Sequence, residues 1–318
     1  MVFGGVFLIG PGVFNVKSNL LVTGPPLTGD VGDPIISSIF DQAGSNITFA
    51  FPVAGELNYT FSKSKTQLFF GNGLEDILRL DVPIGIGIRK QLRDSSIISL
   101  KFISTPLTLK YWKDPYVENE AREKTELNFP GLRFRWSKIF KSGFDFTTTI
   151  RKYSFDEENS GDWLIQEGRL DSKLQPLINR DGYVYRIRLF YQFNLDQKNI
   201  LRPAISYIND DHKGAAIANQ GYALNLNYLH RTQKYIFDAN LRFGKRFASA
   251  DHPVYDDRIG SFRFGAAASL IVPVKIANSN RWNIWVTADY MLENSQITFF
   301  DANLAVIMGG LMYHFDRK

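Results

Sequence analysis

The sequence predicts an all-β chain, a transmembrane antiparallel up-and-down β-barrel of about 14 strands, with 12 as the alternative if one weak hairpin is lost. Three observations carry this. Long stretches alternate apolar and polar with period two, six short turns interleave with seven longer polar connections, and no apolar run has helix-spanning length. Over Ile77–Lys90, Leu78, Leu80, Val82, Ile84, Ile86 and Ile88 face one way and Arg79, Asp81, Pro83, Gly85, Gly87 and Arg89 the other. Tyr183–Asn194 sets Tyr183, Tyr185, Ile187 and Leu189 against Arg186, Arg188, Phe190 and Gln192. Tyr235–Phe247 sets Phe237, Leu241 and Phe243 against Asp238, Asn240, Arg242 and Arg246.

Taken in order, the strands are expected at 3–20, 47–61, 66–71, 77–92, 97–112, 129–140 and 144–155, then 183–194, 200–208, 221–231, 235–248, 258–276, 282–292 and 302–315. The first is kinked, because Gly10-Pro11-Gly12 interrupts it, and Pro106 and Pro273 mark bulges, since proline cannot donate to a ladder. The shortest, 66–71 and 200–208, are the hairpins at risk. Short turns near 62–65, 93–96, 141–143, 195–199, 232–234 and 277–281 belong to the periplasmic end, and the longer connections to the external end. Two of these, Leu21–Asn46 and Asp156–Gly182, are long enough to fold into the lumen. The second carries Trp163, Leu164 and Ile165 among acids and is read as a short helix against basic walls. Residues 1–318 are read as one domain.

A membrane setting follows from which face is wet. Aromatics make up 14% of the chain while mean hydropathy is −0.16 with 44% apolar residues, too polar for a helical membrane protein. The longest apolar stretch, Gly265–Val274, has strand length and falls short of the roughly 18 to 20 residues of a spanning helix. Phe and Tyr recur near strand ends on the apolar face, as interfacial girdles do, and a closed barrel satisfies its own backbone groups in lipid. A bacterial outer membrane is therefore the expected location, with outer-membrane lipid as partner and the barrel monomeric. Met1 runs at once into strand-like sequence, so an export signal is expected to have been removed.

At the other end Gly310, Tyr313 and Phe315 have the glycine–aromatic–aromatic spacing of a final strand that resembles the signal read by the barrel-assembly machinery. Met308, where a polar residue is usual, and the extension Asp316–Lys318 depart from that signal. Glu56-Leu57-Asn58-Tyr59-Thr60-Phe61, followed by Thr66-Gln67-Leu68-Phe69-Phe70-Gly71-Asn72 and Leu74-Glu75-Asp76, resembles a family of proteobacterial outer-membrane proteins of unknown function. That resemblance implies location and barrel architecture and transfers no catalytic or transport residue.

The polar face carries the chemistry. Arg79, Arg89, Arg133, Arg135, Arg151, Arg186, Arg188, Arg202, Arg242, Arg246 and Arg263, with Lys101, Lys110 and Lys275, outnumber Glu56, Asp81, Asp145, Asp238 and Asp289. Such a lumen is electropositive, and rings of arginine select anions. The expectation is a porin-like channel for small anionic solutes, with Arg186 and Arg188 beside Arg133, Arg135 and Arg202 as its narrowest part. Cross-strand pairing that fills the barrel is the structural alternative.

Other classes have less in the sequence. With no cysteine and four histidines, thiol chemistry is excluded, and His212, His230, His252 and His314 are expected in loops or on the lipid face, away from a serine triad, so no enzyme is expected. Asp210-Asp211-His212, and His252 near Asp251, Asp256 and Asp257, read as solvated loop charge before metal sites; no metal or cofactor is expected. Fourteen strands also resemble the fatty-acid transporter family, the hydrophobic-molecule alternative, but with a strand pattern that begins within a few residues of Met1 that family's N-terminal hatch is not expected. Despite a net charge of +5 and a pI near 9.2, the basic residues alternate with lipid-facing aliphatics and form no nucleic-acid patch. A barrel that works through its loops as a binder or scaffold is the remaining alternative.

Overall fold

Alternation becomes architecture once every polar row has the same solvent to face. In a computed structural model that describes residues 2–23, 29–72, 84–104 and 109–315, the fourteen expected strands pair in sequence around a closed antiparallel cylinder. They are β1 (Val2–Ile9, then Gly12–Lys17), β2 (Ser45–Ala50, then Val53–Phe61), β3 (Thr66–Gly71), β4 (Ile84–Gln91) and β5 (Ile97–Ser104, then Leu109–Trp112). Next come β6 (Lys124–Asn128, then Gly131–Ser137), β7 (Phe144–Phe155), β8 (Gly182–Tyr191, then Phe193–Asn194), β9 (Asn199–His212) and β10 (Asn219–Arg231). The circuit ends with β11 (Ile236–Ala248), β12 (Ser261–Ile276), β13 (Ser279–Ser295) and β14 (Ala302–His314), which returns to pair with β1.

The apolar row of each strand points outward. Ile307 and Leu224 are 65% and 62% exposed, and Ile86, Phe49 and Phe70 share that face. A continuous belt this apolar is stable only in hydrocarbon. At the short-turn end it is edged by aromatic contacts: Phe144–Tyr191, Tyr191–Phe193, Trp282–Tyr313 and Tyr313–Phe315, with centroids 4.5–5.2 Å apart.

Prolines set the irregularities. β1 breaks at Gly10-Pro11, β2 at Pro52 and β6 at Pro130, and the break in β8 at Gln192 lies opposite the part of β9 that holds Pro203. The first two breaks face each other, joined by Gly10 N–H donating to Pro52 O at 3.3 Å. Beside them β1 and β14 approach so closely that a Cβ on Gly10 would lie 1.9 Å from Gly309 O, and one on Gly310 2.0 Å from Ile9 O, so the seam that closes the cylinder requires glycine. The irregularity expected at Pro273 falls just after it, between Val274 and Ile276. Pro106 lies outside the described residues. The weak spans are both present, and 200–208 belongs to a strand that runs four residues further, to His212. The turn between β12 and β13 has Ala277 and Asn278 at φ 48° and 58°, the two positive values that a twist-matched two-residue hairpin demands.

Candidate functional site

Strand register arranges six of the inward arginines in two rows. One runs Lys101, Arg133, Thr149, Arg186, Ile208, Gly221, Arg246, Ser261 across β5–β12, each residue opposite the next. The neighbouring row runs Ser99, Arg135, Thr147, Arg188, Ser206, Ala223, Gly244, Arg263. Small or hydroxyl residues flank most of the arginines, leaving room for the long side chains and, at Thr149, an acceptor for Arg133 Nε at 3.2 Å. Together Arg133, Arg135, Arg186, Arg188, Arg242, Arg246 and Arg263 line a chamber of about 390 Å³ to whose lining, among the described residues, no carboxylate contributes.

Three of these are held from behind. Arg135 pairs with Asp145 at 2.9 Å, Arg246 with Asp210 at 2.8 Å, and Arg263 with Glu293. Arg242 donates to Asn225 Oδ1 at 2.9 Å. The Nε–H groups of Arg246 and Arg263 are buried with no acceptor, and such donors are costly unless a water or solute meets them.

Towards the short turns the chamber widens into a vestibule of about 1130 Å³, which shares Arg133, Arg135 and Phe190 with it. Among the described residues its seven cations, Arg89, Lys101, Arg133, Arg135, Lys138, Lys141 and Arg202, face two acids, Glu56 and Asp145, a difference of five. Arg89 is paired with Glu56 at 2.5 Å and lies over the Phe69 ring, and Arg202 donates to Gln192 at 3.0 Å. Arg151 is used otherwise: it donates twice to Phe129 O, at 3.1 and 2.7 Å, and bridges the break at Pro130. Arg79 lies outside the described residues.

The opposite wall differs. Leu8, Phe14 and Val16 of β1, Ala50 and Ala54 of β2, Ile271, Trp285, Val306, Met308 and Met312 form an apolar lining on β1, β2 and β12–β14. A chamber of about 420 Å³ lies along it, sharing Arg242, Arg263, Met291 and Leu304 with the arginine chamber. The sequence reading assigned one face of every strand to water and missed this wall. Its signal was present as runs apolar on both faces, Val6-Phe7-Leu8-Ile9 and Leu304-Ala305-Val306-Ile307-Met308, which mark strands covered on two sides.

The end that carries the long connections is covered by an apolar cluster. After Lys17 the chain leaves the wall, and Leu21–Thr23 pairs with β5 instead of with a neighbour of β1. Ile36, Ile39, Tyr116, Leu164, Leu170, Ile178, Ala216, Ile297 and Phe299, drawn from the connections after β1, β5, β7, β9 and β13, pack into one apolar cap, with Tyr255 of the connection after β11 against it. Both long connections thus fold over the mouth. The second includes the expected short helix α1 (Asp162–Gln166), seated on the cap and not on the basic walls: Asp114 accepts the N–H groups of Gly161 and Trp163 at 3.0 and 2.9 Å. Burial raises the Asp114 carboxyl above its ordinary pKa. Arg122, over the Trp112 ring, donates to the carbonyls of Asn19, Pro115 and Asp33, tying two connections together.

Three histidines differ from expectation, and with them Asp210: His252 and Asp210, read as solvated loop charge, are buried. His212 and His314 sit on inward-facing positions, bonded to Arg180 O at 2.6 Å and Asn283 at 2.7 Å. His252, fully buried in the cap, bonds Tyr116 Oη at 2.9 Å, and burial lowers its pKa to about 3. Among the described residues no three His, Asp or Glu side chains are grouped to hold a metal ion.

The closed barrel and its apolar belt place the chain in the bacterial outer membrane. No curated protein matches its sequence. Among solved structures, OmpT, an outer membrane protein of Vibrio cholerae, is similar at 8% identity and a TM-score of 0.41, with 98% of each chain covered. An anion-selective porin from Comamonas acidovorans is similar at 7% identity and 0.40, with 99% of each covered. A FadL homologue of Pseudomonas aeruginosa is similar at 9% identity and 0.44, covering 99% of this chain and 90% of that one. Likenesses of this size carry no argument about what the present barrel moves. Over residues 3–314 the sequence matches one family model, and the chain belongs to that family, described as protein of unknown function (DUF2860).

Proposed function

We propose that the barrel is an outer-membrane channel for small anionic solutes, selective through the positive potential of its lumen and gated by its external cap. The observation that carries this reading is the chamber lined, among the described residues, by seven arginines and no carboxylate. In a lumen walled by protein and lipid, charges act at low effective dielectric, so a row of guanidinium groups attracts anions and repels cations. The vestibule, with five more cations than acids, concentrates anions at the periplasmic end.

The test is single-channel recording in a planar bilayer under a potassium chloride gradient. Intact barrels should pass small or intermittent current because of the cap, and Tyr116→Ala with Phe299→Ala should raise it. The reversal potential of the opened variant should favour chloride, and Arg186→Gln with Arg188→Gln should move it towards zero. An opened variant that favours potassium, or that ignores the arginine substitutions, overturns the reading.

A further inference from the structure

The two walls of the lumen, taken together, define a ligand more narrowly than charge does. We infer that the lumen binds an amphipathic anion that enters from the periplasmic vestibule and sets its acidic head among the chamber arginines and its apolar tail in the adjoining apolar chamber. This rests on the anion reading above and names the class of anion.

The argument is one of complementarity. The two chambers, about 390 and 420 Å³, touch along Arg242, Arg263, Met291 and Leu304. Phe14, Val16, Leu20, Leu21, Leu109 and Tyr111 bring apolar surface to the second. Met291, on the inward row with Asp289 and Glu293, is 36% exposed at the junction, so a thioether side chain faces the cavity beside guanidinium groups. Exposed apolar surface inside a wet lumen is unfavourable, and covering it is a driving force for a tail. A simple inorganic anion would leave that surface wet, and a neutral hydrocarbon would make no use of the guanidinium groups beside it. Of the three acids that line the apolar chamber, Glu293 is paired with Arg263, Asp238 accepts from Asn227 at 2.9 Å, and Asp289 lies within the field of Arg242, at the junction where the head is placed. The vestibule shares Arg133 and Arg135 with the arginine chamber, whereas packed connections lie over the opposite end, so the path inferred for such a solute starts at the short turns.

The test is calorimetric titration of the full chain in phosphatidylcholine nanodiscs, with empty discs as baseline and inorganic, butyl and octyl sulfate as probes. Affinity should rise along the series, octyl over inorganic sulfate by at least about tenfold, in proportion to buried chain. Leu304→Ser should flatten the series, and Arg186→Gln should weaken all three probes. Heat-dependent gel mobility verifies that each variant is folded. Three probes of equal affinity would overturn the amphipathic inference and leave the anion reading standing. No binding above empty discs would remove both. Repeating the titration in discs containing phosphatidylglycerol separates the sources: an unchanged chain-length series supports a water-borne amphiphile, whereas its loss by competition assigns the site to membrane lipid and overturns entry from the periplasm.

Discussion

The two ends of the barrel are built on opposite principles. The external end is dry: Tyr116, Leu164, Ile178, Ala216 and Phe299 are at most 1% exposed, and Asp114 beside them accepts from three N–H groups. The periplasmic end is wet and charged, its vestibule lined by seven cations that reach exposed turn residues Lys138 and Lys141. Packing energy resides in the first and electrostatic potential in the second. Substitutions at the cap should therefore change stability and access, and substitutions in the vestibule should change selectivity with little effect on stability.

Phe299→Ala is the largest test of that division. The ring stacks at 5.6 Å on Tyr116 and lies 5.3 Å from Phe300 and 6.2 Å from Tyr255. Truncating a fully buried phenylalanine costs about 3–5 kcal/mol, here taken from the cap. External connections should become sensitive to protease and to hydrogen exchange, while heat-dependent gel mobility still reports an intact wall. Loss of the wall as well would show that cap and cylinder fold as one unit.

Acidification reaches the same place through one ring. His252 Nδ1 accepts from Val254 N–H at 3.3 Å, which leaves Nε2 to donate to Tyr116 Oη, so protonation must occur on Nδ1 and displace the Val254 bond. Tyr255 and Phe300 complete its surroundings, and burial holds the hydroxyls of Tyr116 and Tyr255 protonated. The folded pKa, about 3, lies below the ordinary 6.5. Stability from the neutral ring is thus fully present above pH 6.5 and is lost as pH falls from there towards 3. Each unit costs about 1.4 kcal/mol, so at pH 5 the cap should be weakened by roughly 2 kcal/mol. Asp114, raised by burial, titrates in the opposite sense. Hydrogen exchange of the external connections against pH should show the loss in the intact protein and not in His252→Gln; equal profiles would place the acid response elsewhere.

How much of this was legible follows from what each part depends on. The wall was readable because period-two alternation and proline breaks are local: Pro11, Pro52 and Pro130 interrupt ladders wherever the strands pair. Alternation alone puts Arg186 and Arg188 on one face with Phe190, so their shared side of the strand was legible. The cap was not, because its bonds join residues far apart in sequence, such as Asn19 to Phe299 O and Tyr116 to His252, 280 and 136 positions distant. No periodicity encodes such contacts. The apolar lumen wall was readable in principle, but the assumption of one wet face per strand hid it.

Arg202→Gln is the smallest test and the sharper one for the wet end. Arg202 is partly exposed in the vestibule and donates to Gln192 at 3.0 Å, a contact that a glutamine in a water-filled space replaces at little cost. Surface-like polar changes of this kind stay within about 0.5 kcal/mol, so the denaturant midpoint followed by gel mobility should not move. Removing one of seven cations should still lower chloride preference in the cap-opened barrel by a measurable fraction, more at low salt than at high, because screening over about 10 Å at 0.1 M hides distant charges. A midpoint shift as large as that of Phe299→Ala would mean that the vestibule arginines hold the wall together, and that the charge of the lumen is structural before it is selective.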